Sequence, residues 1–122
     1  MDEERVRLIA QEIARQIGGQ RFITMTGAKD FVCGLDPDEK PYLSFKLPGK
    51  GKNGINYVQI LYEPMDWYTL RFIRVNHGKF GSFTTTTVEE VEMVYEDVLE
   101  RTFSDVTGLA TSLHSITKEG TA

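Results

Sequence analysis

Apolar residues near the start of the chain recur at three- and four-residue intervals. Val6, Ile9, Ala10, Ile13, Ala14 and Ile17 form one stripe, with Arg5, Arg7, Glu12 and Arg15 on the other side. This spacing predicts an amphipathic helix. Asp2, Glu3 and Glu4 suit its electropositive N-terminus, and Gly18-Gly19 ends it. From Arg21 the period falls to two, which predicts strands over 21–26, 31–33, 42–47, 55–61, 67–75 and, shorter, 80–84. Turn chemistry separates them at Gly27 and within 34–41, 48–54, 63–66 and 76–78. Connections this short hold no crossover helix, so the strands are expected to form an antiparallel meander. A helical period returns at Val88, Val91, Tyr95 and Val98, flanked by Val94 and Leu99. Thr87 and Glu90 supply a capping box, and the helix is expected to reach at least Thr102.

These elements predict an α+β fold: an N-terminal helix, a meander of five to six strands, and a C-terminal helix packed on the same face of the sheet. Leu43, Phe45, Leu47, Val58, Ile60, Leu70 and Phe72 are expected to face the helices. Alternation then puts Tyr42, Ser44, Lys46, Tyr57, Gln59, Trp67, Thr69 and Arg71 on an open opposite face. Residues 1–113 form one expected domain, with Leu109 and Leu113 docking on its body. Residues 114–122 carry no apolar pattern and are expected to form a flexible tail.

The chain has 122 residues, 40% apolar and 26% charged, enough for one core without disulfide or metal. Its one cysteine, Cys33, follows Phe31-Val32 and is expected to be a buried thiol. No signal peptide or apolar membrane span is evident, which predicts a soluble, cytoplasmic protein. The net charge of -4 is unevenly spread. From Val88 onward eight acids face Arg101 and Lys118, whereas residues 18–87 carry nine Lys/Arg against six Asp/Glu. Neither region resembles a dedicated duplex-DNA binder.

Residues 48–57, PGKGKNGINY, contain G-x-G-x-x-G at Gly49, Gly51 and Gly54. A dinucleotide site requires a helix directly after the last glycine. Here INYVQILY follows, a strand pattern. Neither the remaining kinase motifs nor the P-loop Lys-Ser/Thr pair is present. The segment is therefore expected to be a hairpin connection turning at Asn53-Gly54, with a basic tip as the competing reading. His77 and His114 lack metal-ligand spacing, and LDPDEK at 35–40 lacks the ligands of a calcium loop. His77 is expected in an exposed turn and the acidic stretch in a solvated one. GKFGSF at 78–83 departs from the aromatic motif of RNA-recognition domains. No internal repeat stands out. No catalytic set, metal site or cofactor is implied.

The blocks GGQRFITMTGAK (18–29), LSFKLP (43–48), KNGINYVQI (52–60), DWYTLRFIRV (66–75) and TGLATSL (107–113) give the chain a resemblance. In their order it is similar to a family of small uncharacterised proteins encoded by tailed phages and prophages. The resemblance implies a phage or mobile-element origin and a small accessory role, with no particular chemistry, so the cytoplasm expected above is that of a host cell. Three functional expectations follow. The first is a non-catalytic protein that binds a host or phage protein, such as a nucleic-acid-targeting defence complex. It would use an acidic helix bearing Glu89, Glu92, Glu96 and Glu100 as a phosphate mimic, or the aromatic sheet face. The second is a single-stranded nucleic-acid binder using Lys46, Lys50, Lys52, Tyr57, Trp67 and Arg71. The third is an enzyme with an unrecognised site. A second copy of the chain is a further allowed partner.

Overall fold

The computed structural model describes residues 2–111. Leu113 and the expected tail 114–122 lie outside the described residues. Helix α1 (Glu3–Ile17) begins at Asp2, whose Oδ1 accepts the Arg5 backbone N–H at 2.7 Å. It buries Val6, Ala10, Ile13 and Ile17, as the stripe predicts. A second, short helix α2 (Gly19–Thr26) follows. Strands β1 (Lys29–Leu35), β2 (Pro41–Lys46), β3 (Tyr57–Tyr62), β4 (Tyr68–His77) and β5 (Phe83–Val94) form one antiparallel sheet in the order 1-2-3-4-5. Helix α3 (Leu99–Thr107) packs on the same face as α1 and α2, giving an α+β fold.

Two expectations fail for identifiable reasons. Residues 21–26 form a helix and not a strand. Their β-branched composition favours a strand locally, but Phe22 and Thr26 are one helical turn apart and both buried. The Thr26 hydroxyl donates back to the Phe22 carbonyl at 2.8 Å, and Gly27 ends the helix with φ +73. The predicted 80–84 strand and the predicted helix from Thr87 are likewise not separate elements: the twelve-residue β5 (Phe83–Val94) takes in the end of the one and residues 87–94 of the other, while residues 79–81 form a 3₁₀ turn. Two bulges explain the misreading. Ile73 pairs with Thr87 and Phe72 with Glu89, so Val88 is an extra residue; Leu70 pairs with Val91 and Tyr68 with Val94, which adds another. Val88, Val91 and Val94 therefore all pack on the core at intervals of three, an interval that imitates a helix. Met93 takes φ +57 inside the second bulge. A 3₁₀ turn, Glu96–Val98, then leads into the real helix.

The inner face of the sheet holds Leu43, Phe45, Leu47, Val58, Ile60, Leu70 and Phe72, all buried, as alternation requires. The opposite face is less open than expected. Ser44 and Thr69 are buried there, together with Leu61, which lies in the same cross-strand row as Tyr42 and Thr69. Glu63 organises this end: its carboxylate meets Lys40 Nζ at 2.9 Å and accepts the Thr69 hydroxyl at 2.6 Å. Burial opposes ionisation of Glu63, but the Thr69 hydroxyl and Lys40 outweigh it, and its carboxyl titrates below the ordinary carboxylate value. Asp36 is also buried, its Oδ1 accepting the Asp38 and Lys40 backbone N–H groups, so the acidic turn is internally bonded and not simply solvated. Cys33 is exposed because β1 is an edge strand.

Ser44 Oγ is buried without a hydrogen-bond partner among the described residues. A buried hydroxyl left unpaired is unfavourable, so Ser44→Ala is expected to raise stability by about 1 kcal/mol, read as a higher urea midpoint. A lower midpoint would mean that the hydroxyl is satisfied in solution.

Candidate functional site

In a meander the β2–β3 and β4–β5 connections emerge at the same end of the sheet. Here they are two copies of one turn. Gly51-Lys52-Asn53-Gly54 and Gly78-Lys79-Phe80-Gly81 share their backbone conformation: φ/ψ is -89/-171 and -103/-166 at the first glycine, 58/24 at Asn53 and 59/36 at Phe80. Gly54 and Gly81 follow at φ +76 and +77. The hydrogen bonds match too. Gly51 N–H donates to the Ile55 carbonyl at 2.6 Å and Gly78 N–H to that of Ser82 at 2.8 Å, while Ile55 and Ser82 each return a bond to the lysine carbonyl at 3.2 Å. The pattern Gly-Lys-x-Gly, spaced 27 residues apart, was the signal in the sequence that could have revealed this pair.

The first turn is held against the body. A Cβ on Gly51 would lie 2.9 Å from the Thr107 carbonyl oxygen, so the loop packs on the end of α3 as only glycine permits. No helix starts at Gly54, and β3 begins three residues later, as the dinucleotide exclusion requires. The second turn stands free at the end of an arm. β3 pairs with β4 only as far as Ile73, and from Arg74 to Thr86 the chain is a two-stranded ribbon. Two side-chain clamps stiffen its root. The Asn56 amide both accepts from Val75 N–H (2.8 Å) and donates to the Val75 carbonyl (3.0 Å), and Arg74 donates to the Asn53 carbonyl at 3.0 Å.

Charge follows this geometry. Residues 40–62 and 67–88 contain no Asp or Glu. Lys50, Lys52 and Arg74 thus lie at the turn end with Lys79 further out on the arm, whereas Asp36, Asp38, Glu63 and Asp66 occupy the opposite end. The sequence-predicted residues divide accordingly. Lys50 and Lys52 are exposed in the first turn, and Tyr57 is half-buried beside them, opposite Lys46 and Ile73. Lys46 lies 3.4 Å from Asp30. Arg71 sits in mid-sheet, its Nε 2.7 Å from Glu90 and its guanidinium also donating to Gln59, so its charge is already matched. Trp67 precedes β4 at the acidic end, edge-on to Tyr95 at 6.4 Å, a full strand length of about 30 Å from the arm tip.

Glu89, Glu92, Glu96 and Glu100 do not share a helical face. The first two are exposed on β5, Glu96 is in the 3₁₀ turn accepting from Gln16 at 2.8 Å, and Glu100 opens α3 and binds Arg21 at 3.1 Å. The phosphate-mimicking helix is therefore absent, because the bulged strand takes the place of its first half. Sequence reasoning also missed Arg74, Lys79, Phe80 and Phe83, since their convergence depends on the arm.

A separate cleft of about 440 Å³ lies at the acidic end, lined by Glu12, Gln16, Tyr62, Tyr68, Tyr95 and Glu96 among others. Gln16 is its hub: it donates to Glu12 and Glu96 and accepts the Tyr68 hydroxyl at 2.6 Å. Arg15, and then Gln16, hold the Glu12 carboxyl down at about 2. Burial, with Glu12 and Glu96 nearby, pushes the Tyr68 phenol up to about 12. This acidic cleft repels anions. Among the described residues no cluster of His, Cys, Asp and Glu is placed to hold a metal ion, and no helix is long and apolar enough to cross a membrane. Comparison with protein-family models, curated proteins and solved structures finds no match.

Proposed function

We propose that this protein binds nucleic acid through the lysine-bearing end of its sheet. The observation that carries the reading is that residues 40–62 and 67–88, which hold both turns, contain no Asp or Glu and place Lys50, Lys52, Arg74 and Lys79 toward one end of the sheet although the whole chain is acidic. Cations so grouped neutralise backbone phosphates and release counterions, and the acids at the opposite end orient the molecule toward a polyanion. Lys46 and Arg71 have lesser roles, each being engaged by a carboxylate. An accessory protein of phage origin is a natural setting for this activity.

The test is fluorescence anisotropy with a labelled oligothymidine at several salt concentrations. Affinity is expected to fall as salt rises, and the combined Lys50→Ala/Lys52→Ala/Lys79→Ala variant to bind about five-fold more weakly, with a log–log salt slope shallower by about 2. Absence of binding at low salt would end the proposal.

One observation favours a protein partner as a second reading. Edge strand β1 exposes Phe31, Val32 and Leu35, and such an edge is a template for strand addition. A defence complex or a second copy would meet the molecule there. In that case Val32→Lys, and not the lysine variant, would abolish the interaction in a pull-down or sedimentation experiment.

A further inference from the structure

The two matching turns differ at one position that matters. In the first, Asn53 occupies the left-handed conformation, which asparagine tolerates because its short amide bonds locally. In the second, Phe80 occupies it at φ +59. A bulky residue there is strained, and burial does not offset the strain: Phe80 is 102% exposed, the most exposed large apolar residue among the described residues. The position thus carries an unfavourable backbone and a fully wetted ring, with nothing in the described fold to offset either. Such a combination points to a use outside the folded chain.

The surroundings define that use. Gly81 follows Phe80 without a side chain of its own, and the exposure of Phe80 leaves its ring open to solvent. Local bonds define the turn's backbone: Ser82 Oγ donates to the Lys79 carbonyl at 2.7 Å beside the Gly78–Ser82 bond. Lys79 is adjacent. Further down the ribbon Phe83, 63% exposed, pairs across the strands with exposed His77, which adds flat side chains behind the first. An exposed aromatic face beside a lysine is the arrangement that stacks an unpaired base while neutralising its phosphate.

We infer that Phe80 is a base-stacking residue and that the nucleic acid held at this end of the sheet is single-stranded, an inference that rests on the nucleic-acid reading above. Single-stranded substrate is favoured over duplex because a duplex offers its base faces only after unstacking, a cost that an unpaired strand does not carry.

The experiment compares wild type, Phe80→Asn and Phe80→Trp on three labelled probes of equal length: oligothymidine, an abasic single strand, and a duplex. Asparagine is the residue of the matching turn, so Phe80→Asn is expected to melt at or above the wild-type temperature. Wild type is expected to prefer oligothymidine to the abasic strand by about five- to ten-fold. Phe80→Asn should lose that preference while binding the abasic strand like wild type. Phe80→Trp should recover it, with its added tryptophan emission quenched by oligothymidine. Equal wild-type affinity for oligothymidine and the abasic strand, unchanged by Phe80→Asn, would overturn the inference and leave phosphate binding intact. No binding of either strand at low salt would remove both. Duplex preferred over single strand would replace stacking by wedge insertion, and a Phe80→Asn protein melting below wild type would make the ring structural; each result overturns the inference.

Discussion

Phe103→Ala is expected to remove about 3–5 kcal/mol of stability, the largest effect of any single truncation considered for this chain. The ring is fully buried where α2, α3 and the sheet meet. It sits edge-on to Phe22 with centroids 4.9 Å apart, and lies 6.2 Å from Phe45 and 6.4 Å from Phe72. Phe22 is itself edge-on to Phe45 at 5.3 Å. Truncating Phe103 therefore opens a cavity between three elements at once, and the remaining rings belong to different elements that cannot close it by moving together. A domain of this size has only about 5–15 kcal/mol in total, so the melting temperature should fall by roughly 15–20 °C in a circular-dichroism melt. Phe103→Leu, which keeps most of the volume, should lose less than half as much. A Phe103→Ala protein that melts within a few degrees of wild type would show that α3 is not seated on the sheet as described.

That aromatic centre also shows how much of the fold was legible. Phe45 and Phe72 belong to strands that alternate without interruption, and period two assigned both to the inner face. Phe22 lies in FITMT, a stretch with strand composition that tertiary burial turns into a helix. Phe103 was passed over because the apparent helix around Val88 to Val98 drew the pattern away from residues 99–107, where the helix really runs. The cause in that case is specific: each bulge in β5 inserts one residue into a two-residue period, and the resulting valines at 88, 91 and 94 obey the wrong template. Local periodicity carries no information about a bulge, which is set by pairing with β4.

The candidate site was legible to a similar degree. Lys50, Lys52 and Tyr57 come from a region whose strands and turn were read correctly, and they remain together. Trp67 and Arg71 were assigned by face alone; face says nothing about position along a strand, nor about the carboxylate of Glu90 opposite Arg71. Arg74, Lys79 and Phe80 needed the knowledge that β4 and β5 continue past their neighbours as an arm. The strain at Phe80 is a backbone property, and composition does not encode it.

At the other end of the sheet, stability is expected to decline as pH rises from 10 to 12, with Tyr68 as a principal cause. Its phenol titrates near 10 when unfolded and at about 12 in the folded protein, because burial and the nearby Glu12 and Glu96 disfavour the phenolate. The folded-state value is raised, so the folded chain holds this proton more tightly than the unfolded chain. The contribution is complete below pH 10 and is lost progressively as pH climbs through 12. A two-unit shift corresponds to about 2.7 kcal/mol, discounted to roughly 2 kcal/mol for the solvent that reaches the cleft mouth. Tyr62 shifts upward as well, first through its bond to Asp66, and so does Lys40, first through Glu63, so other groups contribute in the same range. The comparison that isolates Tyr68 is therefore between wild type and Tyr68→Phe, by urea unfolding at pH 8 and at half-unit steps from 10 to 11.5. Tyr68→Phe should be the less stable at pH 8, because Gln16 Oε1 loses its 2.6 Å donor. It should also show the shallower alkaline decline, so that the two curves converge toward pH 12. Parallel curves would mean that the phenol ionises freely in the folded state and that the cleft is open to water around it.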